Sequence, residues 1–555
     1  MINQINESTA LFYAVTSAGA IVLLIKMKAR LGLSLAKHRS LAGHPRIAKT
    51  ISAFLPNYVY DEKQVFRLDN ASKEIGAIRQ KSFGKILEIF QSRYPKTLSA
   101  SSNIADSLSD LQFVSAYRLP FQFRPLIKQG LKIGSFYSSA EGVMLTDLDG
   151  NQFYDLTGSY GVNVFGIDFY KQCIEEGGQL VNALGPLLGG YHPVLIDNVN
   201  RLKQISGMDE ISFHMSGTEA VMQAVRLARY HTRKNKIVRF CGAYHGWWGD
   251  VQPGIGNPIV ARDTLTLTEM SHRTLKILAS RTDIACVLVN PLQALHPNVA
   301  APSDSSLLDS SRKAGFSRAA YTLWLKQVKS ICEQKGIAFI LDEVFVGFRL
   351  GLGGAQEYFD IKADIVTYGK TLGGGLPIGV VCGKKTWMKR FDESSPADIC
   401  FARGTFNSHP YVMGAMNVFL KRLHTEDIQT IYASLEETWQ SRADQLNQQL
   451  VATNIPVQVK NMSSIWTVVY TQPSSYNWLF QYYLRLEGLA LSWVGSGRII
   501  FSLNYTDADF SQVCERFILA GKKMKEDQWW PESNTTTNQQ IKRRILKEML
   551  RAKFK

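Results

Sequence analysis

A chain of 555 residues, 45% hydrophobic and 20% charged, is long enough for two or three structural units and too apolar to be disordered. Its formal net charge of +16 points to an anionic partner, whether nucleic acid, membrane surface or acidic metabolite, without choosing among them. The seven cysteines (Cys173, Cys241, Cys286, Cys332, Cys382, Cys400, Cys514) are scattered, with no CxxC pair or Cys/His metal spacing, so neither a disulfide framework nor a zinc site is indicated and a reducing compartment fits best.

The first element is the run "ALFYAVTSAGAIVLLI", residues 10–25, followed at once by "KMKARLGLSLAKHR". Sixteen uncharged residues are slightly short for a span; counting from Thr9 and letting Lys26 snorkel gives about nineteen, near the usual ~20. A signal peptide carries its charge ahead of the apolar run, whereas here the basic cluster follows. The pattern predicts a transmembrane anchor over residues 1–28, with the bulk of the chain on the cytoplasmic side of a cell or other membrane. A cleaved signal and a buried or surface helix are the alternatives.

Residues 29–125 read as a helical extension and linker. "ASKEIGAIRQKSFGKILEIFQSRY" has apolar positions at three-to-four spacing, Pro95 closes it, and "TLSASSNIADSLSD", residues 97–110, reads as a linker or exposed loop. Within residues 126–195, expected to begin a small domain, "GVMLTDLDGNQFYDL" alternates about Asp149 and Gly150 like a β-hairpin. Across residues 196–424 the strand-like runs "KIVRF", "IACVLVN", "IAFILDEV" and "DIVTYG" alternate with helical stretches. That order predicts an α/β domain with a mostly parallel sheet and a site at the carboxyl ends of its strands. Residues 425–530 open with the long polar helix "DIQTIYASLEETWQSRADQLNQQL" and suit a smaller α+β domain. In the tail 531–555, Ile541, Ile545, Leu546, Met549, Leu550 and Phe554 can share one helical face, with seven Lys/Arg and one Glu mostly elsewhere in "IKRRILKEMLRAKFK". Such a helix can lie on anionic lipid or be a solvated basic tail.

Four stretches carry chemistry. In "FHMSGTEAVMQAVRLARYH", Ser216, Gly217 and Thr218 stand where a strand meets a helix, an anion site for phosphate or a simple cap. In "VRFCGAYHGWWGD", Tyr244 and His245 follow a strand, where an aromatic ring can stack on a flat heteroaromatic ligand or close a core edge. In "IAFILDEVFVGFRLG", Asp342 and Glu343 terminate the most apolar strand; a carboxylate there needs a cation or a protonated ring nitrogen, with Val344 and Phe345 packed beside it, or else a structural salt bridge. In "ADIVTYGKTLGGGLPIG", Lys370 is either a solvated turn lysine or a desolvated amine able to form a Schiff base. Taken together, the four specify pyridoxal phosphate.

"SGTEAVMQAVRLAR", "GAYHG", "LDEVFVGFRLGLGGAQEYFDIKADIVTYGKTLGGGLPIGVVCGKK" and "GTFNSHP" resemble the class III aminotransferases, with the glutamate-1-semialdehyde aminomutase branch most similar, over about residues 130–525. The resemblance implies the fold type I architecture and a homodimer with shared sites. It also implies that Lys370 bears the cofactor and shuttles a proton, and that Asp342 meets the pyridine nitrogen. Ser216, Gly217 and Thr218 would bind phosphate, Tyr244 and Val344 would cover the two ring faces beside His245, and Thr405 would reach the phosphate of the neighbouring subunit. The chain departs from the family at Asn290-Pro291, where the pattern has Glu-Pro, in the longer insertion after it, and at Tyr160, where the aminomutase branch has tryptophan. Arg124 lies near where that branch has an arginine for the substrate carboxylate. The expected activity is a membrane-associated aminotransferase moving an amino group from an amino-acid donor to an aldehyde or ketone, with a lipophilic or secondary-metabolite carbonyl as the expected acceptor. An intramolecular aminomutase and a non-catalytic membrane scaffold are the alternatives. Nothing beyond net charge suggests nucleic acid.

Overall fold

A seven-stranded sheet runs in the spatial order Glu210–His214, Gly379–Gly383, Ile365–Gly369, Ala338–Asp342, Ile284–Val289, Lys236–Phe240, Thr264–Leu267. The computed structural model describes residues 2–39, 43–117, 120–128, 130–131, 136–295, 310, 314–491, 497–532 and 535–554, the side chains of 2–15, 114–117 and 128 excepted. Four neighbouring pairs in the sheet are parallel, and only Gly379–Gly383 runs against its two neighbours. Every residue of Ile284–Val289, Ala338–Asp342 and Ile365–Gly369 is buried, which is why these strands read as continuous apolar runs and not as alternating ones. The predicted strands thus form as expected, with their carboxyl ends at one edge.

The hairpin also forms. Met144–Asp147 pairs antiparallel with Gln152–Asp155, and Gly150 takes the positive φ, 84°, that the turn requires. Leu489–Ala490 joins that sheet in parallel from the far end of the chain, while Val457–Met462, Ile465–Tyr470 and Arg498–Ile500 make a separate three-stranded sheet. Sequence-distant segments therefore build the smaller part together. The expected long polar helix is two, Glu426–Ala433 and Leu435–Ala452, broken at Ser434.

Three expectations for the ends of the chain are corrected. The stretch 97–110 is not a linker: Pro95–Ile104 is a helix with Thr97 and Ser101 buried, followed by the helix Ser109–Tyr117. Pro95 at the first position starts this helix, and the carboxylate of Asp149 accepts the free N–H groups of Lys96 and Thr97 at 2.7 and 2.9 Å. Among the described residues no helix is long and apolar enough to cross a membrane, so the span expected over residues 1–28 is not found there. Its apolar run lies within the helix Ile2–Ala36, and the side chains of 2–15 lie outside the described residues. The six apolar residues of the tail do not share one exposed face. In the helix Asn538–Lys553 Ile541 is buried and Ile545 half-buried, whereas Leu546, Leu550 and Phe554 are exposed.

The extension 57–94 belongs to the core. Arg79 donates to the carbonyls of Gln528, Phe66 and Leu68 and stacks on Tyr476, while Asp69 accepts from the backbone and hydroxyl of Ser475, both at 2.6 Å.

Arg349, just past the strand Ala338–Asp342, stitches the two parts. Its guanidinium donates to Asn163 O at 2.7 Å, Phe501 O at 2.6 Å and Ser464 Oγ at 2.9 Å. Arg349→Leu would leave three acceptors without that donor, and is expected to cost about 3 kcal/mol in the denaturant midpoint. A loss below about 1 kcal/mol would show that the two parts are held elsewhere.

Candidate active site

Parallel strands bring their carboxyl ends together, and all four motifs sit at these ends. Asp342 closes the strand Ala338–Asp342 and is 3% exposed, so its charge must be met by neighbours. His245 Nδ1 lies 2.7 Å from its Oδ2, and Val344 N and Thr367 Oγ1 donate to its Oδ1, each at 3.2 Å. Burial pulls the His245 pKa down, against the opposing pull of Asp342. A neutral imidazole donating from Nδ1 has a bare lone pair on Nε2, and this atom is buried without a hydrogen-bond partner among the described residues.

Glu343 does something else. Its carboxylate accepts from Ala355 N at 2.6 Å and Gln356 N at 3.3 Å, capping the helix Gly354–Tyr358. Adjacent carboxylates therefore face opposite ways, Asp342 toward the site and Glu343 into the scaffold.

Lys370 follows the strand Ile365–Gly369 and opens the turn Lys370–Gly373 with φ 47°, in the left-handed region that a side chain rarely adopts. Its Nζ lies 5.4 Å from the centroid of the Phe345 ring. Burial holds its amine below the usual lysine range, with Asp342 opposing. The next residue, Thr371, shares a short hydrogen bond with the buried Tyr170 hydroxyl, which also accepts from Val164 N at 3.0 Å. The loop carrying Tyr160 closes on the lysine: a Cβ at Gly161, φ 96°, would come within 2.8 Å of Phe345 and 3.3 Å of Lys370 Cδ. Ser159 and Tyr160 both adopt positive φ there, so this strained loop is held by its surroundings.

Ser216 caps the helix Gly217–Thr232, accepting from Glu219 N at 3.2 Å. A Cβ on Gly217 would lie 2.5 Å from Val344, which places the helix start, Val344 and the lysine turn side by side. Tyr244 is exposed beside them, with its carbonyl fixed by Asn290 Nδ2 at 2.9 Å. Gln293 Nε2 holds the Cys241 carbonyl in the same loop. Thr405 is exposed on the turn ahead of the helix Pro410–Arg422 and makes no hydrogen bond to these groups among the described residues. Arg124 is half-buried next to Phe123, whose ring packs on Trp478 and Tyr476, so the structure anchors that segment on the C-terminal part. Most of the insertion after Pro291, residues 296–309 and 311–313, lies outside the described residues.

The structure thus unites Ser216, Gly217, His245, Asp342, Val344 and Lys370. Sequence reasoning missed Thr367, Tyr170, Gln293 and Arg349, whose partners are all distant in the chain. A helix N-terminus for an anion, a buried carboxylate, an imidazole lone pair and a desolvated amine together fit a phosphorylated heteroaromatic aldehyde such as pyridoxal phosphate.

The family described as "Aminotransferase class-III" matches residues 128–520. The glutamate-1-semialdehyde 2,1-aminomutase of Francisella philomiragia is 30% identical over 339 residues, 58% of this chain and 71% of that protein. Its namesake in Methanococcus vannielii is 33% identical over 357 residues, 60% and 76% of the two chains. Among solved structures, a transaminase with PLP bound superposes with TM-score 0.62 at 22% identity, over 78% of this chain and 99% of that one. A glutamate-1-semialdehyde aminomutase from Pseudomonas aeruginosa PAO1 gives 0.64 at 17%, over 81% and 99%.

Burial pushes the Glu343 carboxyl up to about 8, against an ordinary 4.5. Between those values the folded state keeps a proton that the unfolded state has lost, so stability drains as pH rises through that window. In Glu343→Gln, thermal midpoints followed from pH 4.5 to 8 should fall less steeply than in the parent. Identical slopes would place the ionisation elsewhere.

Proposed function

For a chain that belongs to the class III aminotransferases, and is thus a pyridoxal-phosphate-dependent enzyme, we propose transfer of an amino group from an amino-acid donor to an aldehyde or ketone. The observation that carries this reading is the desolvated Lys370 amine beside Phe345, one strand away from the buried pair of Asp342 and His245.

Lys370 would hold the cofactor through Nζ. Ser216, Gly217 and Thr218 at the helix start would bind its phosphate, with Thr405 reaching the phosphate of a second copy in a homodimer. Val344 and Tyr244 would cover the ring faces. Asp342, which accepts hydrogen bonds from His245, Val344 N and Thr367, would hold a proton on the ring nitrogen. Bound pyridoxal phosphate supplies the electron sink. Freed by an amine substrate, Lys370 Nζ would be the base that lifts the proton from the substrate Cα and hands it on to the carbon across the amine nitrogen. The lowered pKa suits that role, because an amine must be unprotonated both to attack and to accept. Tyr160, on the loop against Lys370, would face the substrate, and Arg124 is the candidate for its carboxylate. Phe345 makes the approach to the amine apolar, which favours a lipophilic carbonyl compound over a small acid.

The second reading is an intramolecular aminomutase, favoured by relatives of that activity at 30% and 33% identity. Tyr160 stands against it, since the aminomutase branch has tryptophan there.

Four experiments test these readings. Purified enzyme should need a separate amino donor, and donor-independent product would establish the mutase. Against aldehydes and ketones of graded length, turnover should rise with chain length, and reaction with short acidic substrates alone would sink the lipophilic assignment. Lys370→Ala should lose the visible absorbance of the bound cofactor and at least ~10²-fold in rate. Asp342→Asn should keep the cofactor yet lose roughly 10²–10³-fold. A Lys370→Ala protein with unchanged absorbance would instead mark a scaffold.

A further inference from the structure

Both ends of the chain carry apolar surface that the catalytic fold does not use. In the helix Ile2–Ala36, residues 16–31 are exposed throughout, and Ile21 to Ile25 are five consecutive large apolar residues, each between 49% and 63% exposed. At 3.6 residues per turn five in succession pass right around the helix, so this is no single stripe. The helix Pro45–Phe54 follows after residues 37–44, burying Ala48 and exposing Ile47, Ile51 and Phe54, with Leu55 beyond. At the other terminus the helix Asn538–Lys553 docks through Ile541, through Arg544 on Asp69, and through Glu548, which accepts from Tyr58 and Tyr60 at 3.2 and 2.9 Å. Its outer side keeps Leu546, Leu550 and Phe554 in one row and Arg543, Lys547 and Arg551, all exposed, in the row beside it. Lys553 Nζ lies 4.3 Å from the Phe54 ring centroid, so the outward rows of the two helices adjoin.

Among the described side chains of the first two helices and the outer side of the last, charge has one sign. Lys26, Lys28, Arg30, Arg46 and Lys49 accompany the first two helices without a described carboxylate, and Glu548, the one acid of the C-terminal helix, is turned inward. We propose that this composite face is a docking surface for an anionic lipid bilayer, with Leu550, Phe554, Ile51 and Phe54 entering the interface and the basic rows meeting the headgroups. An apolar row with a basic row directly beside it is the pattern of a helix that lies in a lipid headgroup layer. A second copy would set two basic faces against each other. The assignment is independent of the reaction proposed above.

Flotation of the full-length holoenzyme with vesicles tests it. Vesicles of phosphatidylcholine with phosphatidylglycerol added should carry the protein up, phosphatidylcholine alone much less, and added salt should weaken the association. Arg543→Ala, Lys547→Ala and Arg551→Ala should each lower the partition coefficient roughly fivefold. Leu550→Glu with Phe554→Glu should lower it further. These outward positions should leave the cofactor absorbance intact, which reports that the variants are folded. Absence of flotation, or flotation of all three alanine variants equal to that of the parent, would overturn the proposal. So would a change of oligomeric mass in the variants without a change in vesicle binding, which would assign the face to a second copy.

Discussion

A negative charge at the end of a wholly buried strand is the constraint from which the site follows. Asp342 has no solvent to stabilise it, so the surrounding chain does so with His245, Thr367 and a backbone N–H. Each partner then imposes something further. The histidine must spend Nδ1–H on the carboxylate, which leaves Nε2 as an acceptor, and its loop must be pinned, which Asn290 and Gln293 do through the carbonyls of Tyr244 and Cys241. The amine of Lys370 lies within the field of the same carboxylate, which moderates the effect of burial without cancelling it. One buried anion thus sets the tautomer of a ring and the path of a loop, and tempers what burial does to an amine.

Much of this was legible in the sequence because it is local. A strand covered on both faces must be apolar at every position, and residues at its carboxyl end have one place to go, so "IAFILD" and "DIVTYGK" point to their own roles. The hairpin about Asp149 and Gly150 was legible for the same reason. What escaped depends on partners far away. Glu343 was indistinguishable from Asp342 until its helix, a dozen residues on, came round to meet it. The segment after Pro95 looked like a linker because Ser and Thr are weak helix formers, and the carboxylate that caps it comes from the hairpin turn. Arg349 could not be singled out among the many arginines, since its three acceptors come from segments scattered through the chain.

The N-terminal extension shows how composition can mislead about autonomy. Its helical periodicity suggested a separate appendage. Instead Asp69 reaches Ser475 and Arg544, Arg79 reaches Gln528 and Tyr476, and Tyr58 and Tyr60 meet Glu548. The first and last parts of the chain are therefore one packed layer over the smaller part of the enzyme, tied by buried polar contacts that tolerate little displacement.

The clasp at Arg349 bears on any attempt to recombine this protein. A crossover placed at the obvious boundary, after the helix Pro410–Arg422, would divide the donor of the clasp from the Ser464 and Phe501 acceptors while keeping Asn163 with the donor. A chimera cut there would inherit a buried guanidinium fitted to another protein's carbonyls. The unit of inheritance is accordingly the set of segments that meet at Arg349, and the seam between exchangeable parts runs through space and not along the chain.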